Sequence, residues 1–464
     1  MRKSKQVGMN AQERKSVSAL SSIFALRMMG LFLILPVFST YAHGLDGALE
    51  HPELVGIALG AYGLTQALFQ IPFGMMSDKF GRKPVIAVGM VIFAIGSFIA
   101  GTSDDIVGVL LGRVIQGSGA VAAAVIALTA DLTREEHRTK AMASIGITIG
   151  MSFAVSMAIA PLLDAWIGVN GIFMFTGGLS LFSILVLYVV VPTPVNTGHH
   201  SDSEVTSSMF KEVLHHGALL RLDVGVLILH MSLTALFVVL PLVLMSDNLL
   251  PQAEQWKLYL PVMVIAFLLM IPLIIIAEAK RKMKQVFLSA IAMLLIASLM
   301  FAWAHDSLWW IAVALLIFFT GFNTLEASMP SLVSKYAPAG AKGTAVGVFN
   351  TSQFFGAFIG GVLGGFLYDP IVQNFSTVFY VVAAMLSIWW LIALTMAQPP
   401  YVATITLRVD AKDEADAKRI TERLLTLDGV TEVRVIIEES AAYCKIDKKV
   451  IDEEDLVTQA ASLT

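Results

Sequence analysis

The chain has 464 residues, of which 56% are hydrophobic and 14% are charged, and its mean hydropathy is +0.76. Soluble domains carry about 25% charged residues, so this composition indicates a membrane protein. The formal net charge of −4 gives no sign of nucleic-acid binding. The single cysteine, Cys444, excludes an intrachain disulfide and a cysteine-rich metal centre.

The N-terminus is basic and precedes a long apolar run over residues 17–41. A cleaved signal peptide has an apolar core of about 7–15 residues, whereas a membrane-spanning helix needs about 20. The length of this run therefore predicts a first spanning helix that stays in the protein.

Eleven further apolar runs bring the prediction to twelve transmembrane helices, at 17–41, 54–77, 84–101, 106–130, 141–163, 170–191, 219–245, 257–278, 285–304, 308–333, 343–367 and 375–397. One set of alternate loops holds nearly all the bases, including Lys79, Arg134 and Lys280, and the other set holds only Lys257. The positive-inside rule then predicts that both termini are cytoplasmic.

The chain divides into a cytoplasmic N-terminus (1–16), a six-helix bundle (17–191), a polar central loop (192–218) and a second six-helix bundle (219–397). The expected fold is an all-α membrane protein in a six-plus-six pseudo-symmetric arrangement, because duplicated six-helix units are a known transporter architecture.

Residues 402–464 have a different composition, with nine Lys and Arg against fourteen Asp and Glu. Their pattern reads strand, helix, strand, strand, helix, which predicts a small α+β ferredoxin-like domain in the cytoplasm.

The loop after the second helix reads Gly74-Met-Met-Ser-Asp78-Lys-Phe-Gly81-Arg82-Lys83. It places an acid and three bases at the membrane face, where charge pairs and helix dipoles are only partly screened. A topogenic loop needs neither the acid nor both glycines, so we expect a conformational switch. A degenerate copy, Glu278-Ala-Lys280-Arg281-Lys282, follows the eighth helix.

This motif resembles the signature of the major facilitator superfamily, and Arg113 with Gln116-Gly117-x-Gly119-Ala120 resembles the second motif of its proton-driven drug exporters. With the soluble domain, the chain closely resembles the YajR-type branch. The resemblance implies that Arg82 bridges Asp78 to Asp131 in a network that breaks when the cytoplasmic side opens. The fifth helix departs from the antiporter pattern, because it keeps Pro161 without the flanking glycines.

Three ionisable residues within apolar helices are candidates for proton coupling: Glu326, Arg113 and His230. Intramembrane charges are costly and usually face a cavity or a partner. For Arg113 the role in proton coupling is implied by the resemblance. Each of the three also fits a purely structural role, whereas Asp223 at the entrance of the seventh helix is expected to be solvated.

Five polar residues are candidates for lining a central cavity, because amides and charges in lipid need partners: Arg27, Gln66, Gln70, Asn350 and Gln353. Gln66 and Gln70 are four residues apart and share a helix face. These groups either bind substrate or join helices. A stripe of glycines on the eleventh helix, Gly356, Gly360 and Gly364, is expected to pack against the second helix.

No cofactor, metal site or enzymatic activity is predicted, because no P-loop, nucleophile elbow or HExxH motif occurs. The histidine pairs at 199–200 and 215–216 are expected to be ordinary loop residues. The predicted partners are a proton, a small molecule, the lipid membrane and a regulator or partner of the soluble domain.

The leading functional hypothesis is a secondary transporter of the bacterial inner membrane that exports an amphipathic small molecule by proton-coupled alternating access. Two alternatives remain at this point. One is an uptake facilitator for a polar nutrient, and the other is a membrane sensor that signals through its C-terminal domain.

Overall fold

The computed structural model describes residues 8–193, 209–246, 249–303, 306–338, 341–368, 375–399, 402–409, 411–437, 440–447, 450–451 and 455–459. The first half of the membrane domain contains α1 (Ala11–Phe32), α2 (Phe38–Ala42), α3 (Glu53–Phe80), α4 (Arg82–Thr102), α5 (Ile106–Ser118), α6 (Ala122–Asp131) and α7 (Glu135–Val189). The second half contains α8 (Phe210–His215), α9 (Gly217–Met245), α10 (Trp256–Ala279), α11 (Met283–Trp303), α12 (Leu308–Tyr336), α13 (Lys342–Leu367) and α14 (Phe375–Leu394).

The predicted all-α membrane fold is confirmed. Ten stretches of the described residues are long and apolar enough to span a membrane. One of them, Lys140–Val189, contains both the fifth and the sixth predicted helices, which meet at Gly168. Its φ of 69° is readily adopted only by glycine, so the chain reverses there without a separate loop.

Two predicted helices are each broken in the middle. The first becomes α1 and α2, because helices usually end before the residue that precedes a proline, here Pro36. The fourth becomes α5 and α6 around Gly119, where a side chain would meet the carbonyl oxygen of Gly89 at 2.2 Å. Both breaks lie inside apolar runs, so hydrophobicity alone does not reveal them.

We call the end of the bundle where α1 begins and α14 ends the termini face, and the other end the opposite face. The two halves join toward the opposite face. There the Ser39 hydroxyl donates to the carbonyl of Phe237 at 3.0 Å, and the Gln252 amide donates to the Asp164 carboxylate. The largest contact between the halves pairs α3 with α13.

Glycines allow α3 and α13 to touch backbone to backbone. A Cβ on Gly56 would lie 2.2 Å from the carbonyl oxygen of Gly361, and one on Gly365 would lie 2.6 Å from that of Glu53. Small residues at such interfaces let helices approach closely in a membrane. These contacts therefore close the opposite face tightly.

The predicted partner of the glycine stripe was wrong. Gly356 and Gly360 contact the backbone of Leu227 and Met231 on α9, while α3 is contacted by a different pair, Gly361 and Gly365. Because α13 carries glycines on two neighbouring faces, spacing along the sequence does not decide which face meets which helix.

The soluble domain contains β1 (Ala403–Arg408), α15 (Glu414–Leu425), β2 (Val430–Ile436) and β3 (Ala441–Ile446). Its antiparallel sheet has the order β1-β3-β2, which is the split β-α-β arrangement expected from the sequence. Cys444 is fully buried in its core, and burial raises the pKa of that thiol to about 12. The thiol is thus inert at physiological pH.

Candidate functional site

Arg82, the first residue of α4, is the centre of a charged cluster at the termini face. Its Nε donates to Oδ2 of Asp131 at 3.0 Å, and its Nη1 donates to the hydroxyl of Ser77 at 2.9 Å and to Asp78. The side chains of Arg82 and Asp131 are 3% and 2% exposed. The cluster joins α3, α4 and α6 and lies entirely within the first half.

The expected breaking of this network when the cytoplasmic side opens stays a prediction. Its ion pairs are intact in a structure whose halves join toward the opposite face. Because Asp78, Arg82 and Asp131 all belong to one half, separating the halves at the termini face does not by itself break them. The cluster therefore holds three helices of one half in register.

The two motif glycines do different things. Gly81 has a φ of 92°, which strains any residue with a side chain, so glycine is required to join α3 to α4. A Cβ on Gly74 would meet only the Cβ of Ala123 at 3.4 Å, which is an ordinary contact. Close helix approach in this conformation thus does not depend on Gly74.

Lys83 does not join the cluster. Its Nζ donates to the carbonyl of Val191 at 2.5 Å, just beyond the end of α7, and lies 5.7 Å from the ring centroid of Tyr188. A cation at this position satisfies a terminal carbonyl and complements the helix dipole. Lys83 therefore anchors α7 to α4.

The degenerate copy in the second half forms a reversed pair. Lys335 near the end of α12 donates to both oxygens of Glu278 on α10, at 2.9 and 3.0 Å. In the first half the motif supplies the base, Arg82, and the end of the neighbouring helix supplies the acid, Asp131. In the second half the motif supplies the acid and the neighbouring helix supplies the base. The Glu278 side chain is 44% exposed, so this pair is more strongly screened.

Three predicted cavity residues of the first half come together. Arg27 of α1 donates from Nη2 to Oε1 of Gln66 at 2.5 Å, and to the carbonyl of Gly119 at 3.4 Å. The Gln66 amide in turn donates to Gln70 at 3.4 Å. The three side chains form a buried polar cluster between α1 and α3, and Arg27 forms no ion pair with the described residues.

Arg113 is fully buried in α5 but is not part of that cluster. Its Nη1 donates to Gln116 at 2.6 Å and its Nη2 to the carbonyl of Leu59 at 3.3 Å. The guanidinium carbon lies 4.9 Å from the ring centroid of Tyr62, which is cation–π geometry. This environment holds the charge between α3 and α5.

The second half places His230, Gln353 and Glu326 in one cluster, from α9, α13 and α12. Nδ1 of His230 lies 3.2 Å from the carbonyl of Val226, so the neutral ring donates there and Nε2 is an acceptor. The Gln353 amide donates to that Nε2 at 2.8 Å and to Oε1 of Glu326 at 3.3 Å. His230 Nε2 and Glu326 Oε2 are 3.7 Å apart.

This arrangement has two alternative hydrogen-bond patterns. If a proton binds Nε2 of His230, the ring no longer accepts from Gln353 and becomes a donor toward Glu326. The Glu326 side chain is 36% exposed although it lies within a long apolar helix. Asn350, the remaining predicted cavity residue, is half-buried on α13, one turn from Gln353.

Asp223 was expected to be solvated, and that expectation was wrong. It is 7% exposed, and its Oδ2 is buried without a hydrogen bond from the described residues. It lies two turns from His230 on α9. Its position within the first turns of the helix does not reveal that neighbouring helices cover it.

Sequence reasoning missed a second ion pair at the termini face. Glu13 accepts from Nε of Arg134 at 2.8 Å, from its Nη2 at 3.0 Å and from its backbone N–H at 3.1 Å. These hydrogen bonds, led by that from the Arg134 side chain, lower the pKa of Glu13 to about 2. A capping box with Asn10 was the available signal, because it marks Glu13 as part of a built helix start.

The aromatic residues also form a group that sequence did not single out. Phe153 of α7 lies 5.0 Å from Phe32 of α1, and 6.0 Å from both Phe319 and Phe322 of α12, between ring centroids. His230 lies 5.6 Å from Phe322. The group therefore links the two halves next to the histidine cluster.

Comparison with known proteins gives the family. Residues 20–361 match the Major Facilitator Superfamily model, and residues 407–457 match the model of the YajR YAM domain. The chain is 45% identical over 442 residues to the inner membrane transport protein YajR of Escherichia coli (strain K12), covering 95% of this chain and 96% of that relative.

Solved structures share the fold at low identity. A bacterial homologue of the human lysosomal transporter Spinster, in an inward-facing and occupied conformation, matches with a TM-score of 0.68 and 13% identity, covering 83% of this chain and 97% of that one. The xylose transporter XylE of E. coli matches with a TM-score of 0.64 and 15% identity, covering 84% and 99%. From its sequence match and its architecture, the chain belongs to the major facilitator superfamily and is a multi-pass membrane transporter.

Proposed function

We propose that this transporter exports an amphipathic small molecule across the bacterial inner membrane, coupled to proton movement through His230 and Glu326. The observation that carries the proposal is the contact of these two side chains with Gln353, at the meeting point of α9, α12 and α13. One protonation event there changes hydrogen bonds to three helices at once.

The basic loops support a cytoplasmic termini face. On this assignment the glycine contacts between α3 and α13 close the periplasmic side, and the conformation faces inward. Alternating access then requires α3 and α13 to part at Gly56 and Gly361, while contacts form between the halves at the termini face. Within this cycle, the cluster of Asp78, Arg82 and Asp131 keeps the first half rigid.

The substrate class is supported by the walls of the bundle interior. Aromatic side chains from both halves meet at Phe153, and one of them, Phe32, lies on α1 little more than one turn from Arg27. A site with apolar walls and a few convergent polar groups suits a molecule with an apolar body and one polar end. A polar nutrient needs more hydrogen-bonding groups than this interior offers.

The soluble domain contacts the second half of the membrane domain at two ion pairs. Arg434 on β2 donates to Glu212 on α8 at 3.0 Å, and Arg281 beyond the end of α10 donates to Asp447 at 3.3 Å. Both contacts are to the second half. We infer that the domain modulates the movement of that half rather than forming part of the transport path.

The test uses purified protein in liposomes that contain a fluorescent pH indicator. Naphthoate, naphthamide and naphthylmethylammonium share one ring system and differ in charge, so they serve as probes. At least one probe is expected to drive proton movement in wild-type protein, and Glu326→Gln is expected to abolish it. Glu254→Gln removes an acid from the exposed pair with Lys257 and is expected to leave the flux unchanged. Probe transport that is indifferent to a pH gradient contradicts proton coupling.

A further inference from the structure

Two nitrogens of a buried guanidinium are left without acceptors. Arg27 is 2% exposed, and its Nε and Nη1 are buried with no hydrogen-bond partner among the described residues. Only Nη2 is engaged, by the Gln66 side chain and the Gly119 carbonyl. An unsatisfied buried donor costs about 1–3 kcal/mol, and more when it is charged.

Arg113 is better satisfied in the same bundle, although its Nε also lacks a partner among the described residues. Two of its nitrogens have acceptors and its charge lies over the face of Tyr62. Among the described residues Arg27 lies over no aromatic ring, and its single short hydrogen bond is to a neutral amide. A cation in a membrane interior is retained at a cost of at least about 2.5–3.5 kcal/mol, so it needs a compensating use.

We propose that Arg27, together with Gln66, is the anion-recognition site of this transporter, and that its substrate is an amphipathic organic anion. The inference rests on the proposed transport function and names the charge of the transported molecule. Nε and Nη1 supply donors for a carboxylate or sulfonate, and guanidinium pairs with such groups more strongly than with neutral acceptors. Gln66 then releases or shares the cation when the anion binds.

The surroundings of Arg27 fit such a ligand. Phe32, little more than one turn further along α1, contacts Phe153 and offers an apolar surface for the body of the molecule. A groove of about 680 Å³ between α1 and α7 runs from the termini face to Leu26, the residue before Arg27, without including the Arg27 side chain; its lining contains Arg14, Lys140 and hydroxyl groups but no acid among the described residues. Such a groove attracts anions.

Charge also fits the direction of transport. With a cytoplasmic termini face, an anion leaves the cell down an inside-negative potential, which contributes about 2.3 kcal/mol per charge for each 100 mV. Export of an organic anion is thus favoured before any proton is moved.

The decisive variant is Gln66→Glu, which places a carboxylate beside Arg27 within the protein. It is expected to raise the thermal stability, because the cation gains a counter-ion, and to weaken naphthoate binding at least about tenfold, or 1.4 kcal/mol. Arg27→Gln is expected to weaken binding similarly, and Arg27→Lys to retain part of it. Gln285→Glu adds the same charge on an exposed face of α11 and is the matched control.

Binding is measured by calorimetry on the full chain in lipid nanodiscs, with naphthamide and naphthylmethylammonium as probes of matched shape. Naphthoate is expected to bind more tightly than both. The proposal is overturned if wild-type protein does not bind naphthoate, if naphthamide binds as tightly, or if Gln66→Glu is stabilised yet binds naphthoate normally.

The same probes separate this inference from the proposed function. Proton movement driven only by naphthylmethylammonium, and lost in Glu326→Gln, rejects the anion site and leaves proton-coupled transport standing. Naphthoate transport that depends on Arg27 but does not respond to a pH gradient supports the anion site and rejects proton coupling.

Discussion

Arg82 Nε donates to Asp131 Oδ2 at 3.0 Å, which ties the first residue of α4 to the last residue of α6. Both side chains are almost completely buried, at the end of the bundle where a charge pair on the surface would be screened. The best-defined charges of the opening motif therefore stabilise one half internally. The closure of the structure lies elsewhere, in the backbone contacts between Gly56 and Gly361.

Removing one partner of this buried pair is expected to be costly. Asp131→Asn leaves the Arg82 charge with less compensation, and loss of a buried ion-pair partner typically destabilises by about 3–5 kcal/mol. Thermal unfolding followed by tryptophan fluorescence measures it. Lys335→Gln breaks the more exposed counterpart with Glu278 and is expected to cost at most about 1 kcal/mol. Equal effects of the two variants contradict the assignment.

Asp78→Asn is expected to preserve the fold and abolish transport. Its carboxylate is 20% exposed, and Arg82 keeps Ser77 and Asp131 as partners when the charge is removed. Unfolding temperature and probe flux are measured on the same preparation. Near-normal flux shows that transport does not need the charge of Asp78 beside Arg82.

Gly56→Ala is expected to shift the transporter away from the conformation described. The added Cβ would meet the carbonyl of Gly361 at 2.2 Å, so α3 and α13 must separate at the opposite face. Gly178→Ala is the control, because nothing lies within 4 Å of its Cβ position.

Spin labels at residues 50 and 254 report the separation at the opposite face, in a Cys444→Ala background. The distance is expected to increase in Gly56→Ala and to stay unchanged in the control. An unchanged distance in both variants shows that the contact between Gly56 and Gly361 does not hold the opposite face closed.

The pair of Glu13 with Arg134 predicts a specific pH dependence. The Glu13 pKa is about 2 in the folded protein against 4.5 ordinarily, so the unfolded state binds the proton more readily. The contribution of Glu13 to stability is therefore complete above pH 4.5 and is lost as the pH falls toward 2. Melting temperatures of wild-type protein and Glu13→Gln should differ at neutral pH and converge on acidification. A constant difference contradicts the mechanism.

The contact between the soluble domain and the second half is testable by charge exchange. Arg434→Glu is expected to repel Glu212 and loosen the domain from α8, and adding Glu212→Arg is expected to restore the contact. Hydrogen exchange in β2 and probe flux are the two measurements. Restored protection without any change in flux in either variant shows that docking has no role in transport.

Much of the architecture follows from sequence alone. Apolar runs of spanning length, the charge bias of alternate loops and the motif from Gly74 to Lys83 are local properties. Each can be recognised without knowing which residues are neighbours in space. The period-two pattern of residues 402–408 likewise predicts a strand, because alternation determines which face is buried. The class, the two halves and the soluble domain were predictable for this reason.

Which side chains meet was decided by the tertiary structure. Glu13 pairs with Arg134 across 121 positions, and Gln353 reaches His230 across 123. A helix that is apolar all round does not specify its own rotation, so the sequence left open which glycines of α13 face α3 and whether Asp223 is covered. Packing sets those rotations, because each helix must present small residues where backbones touch and polar groups where partners exist.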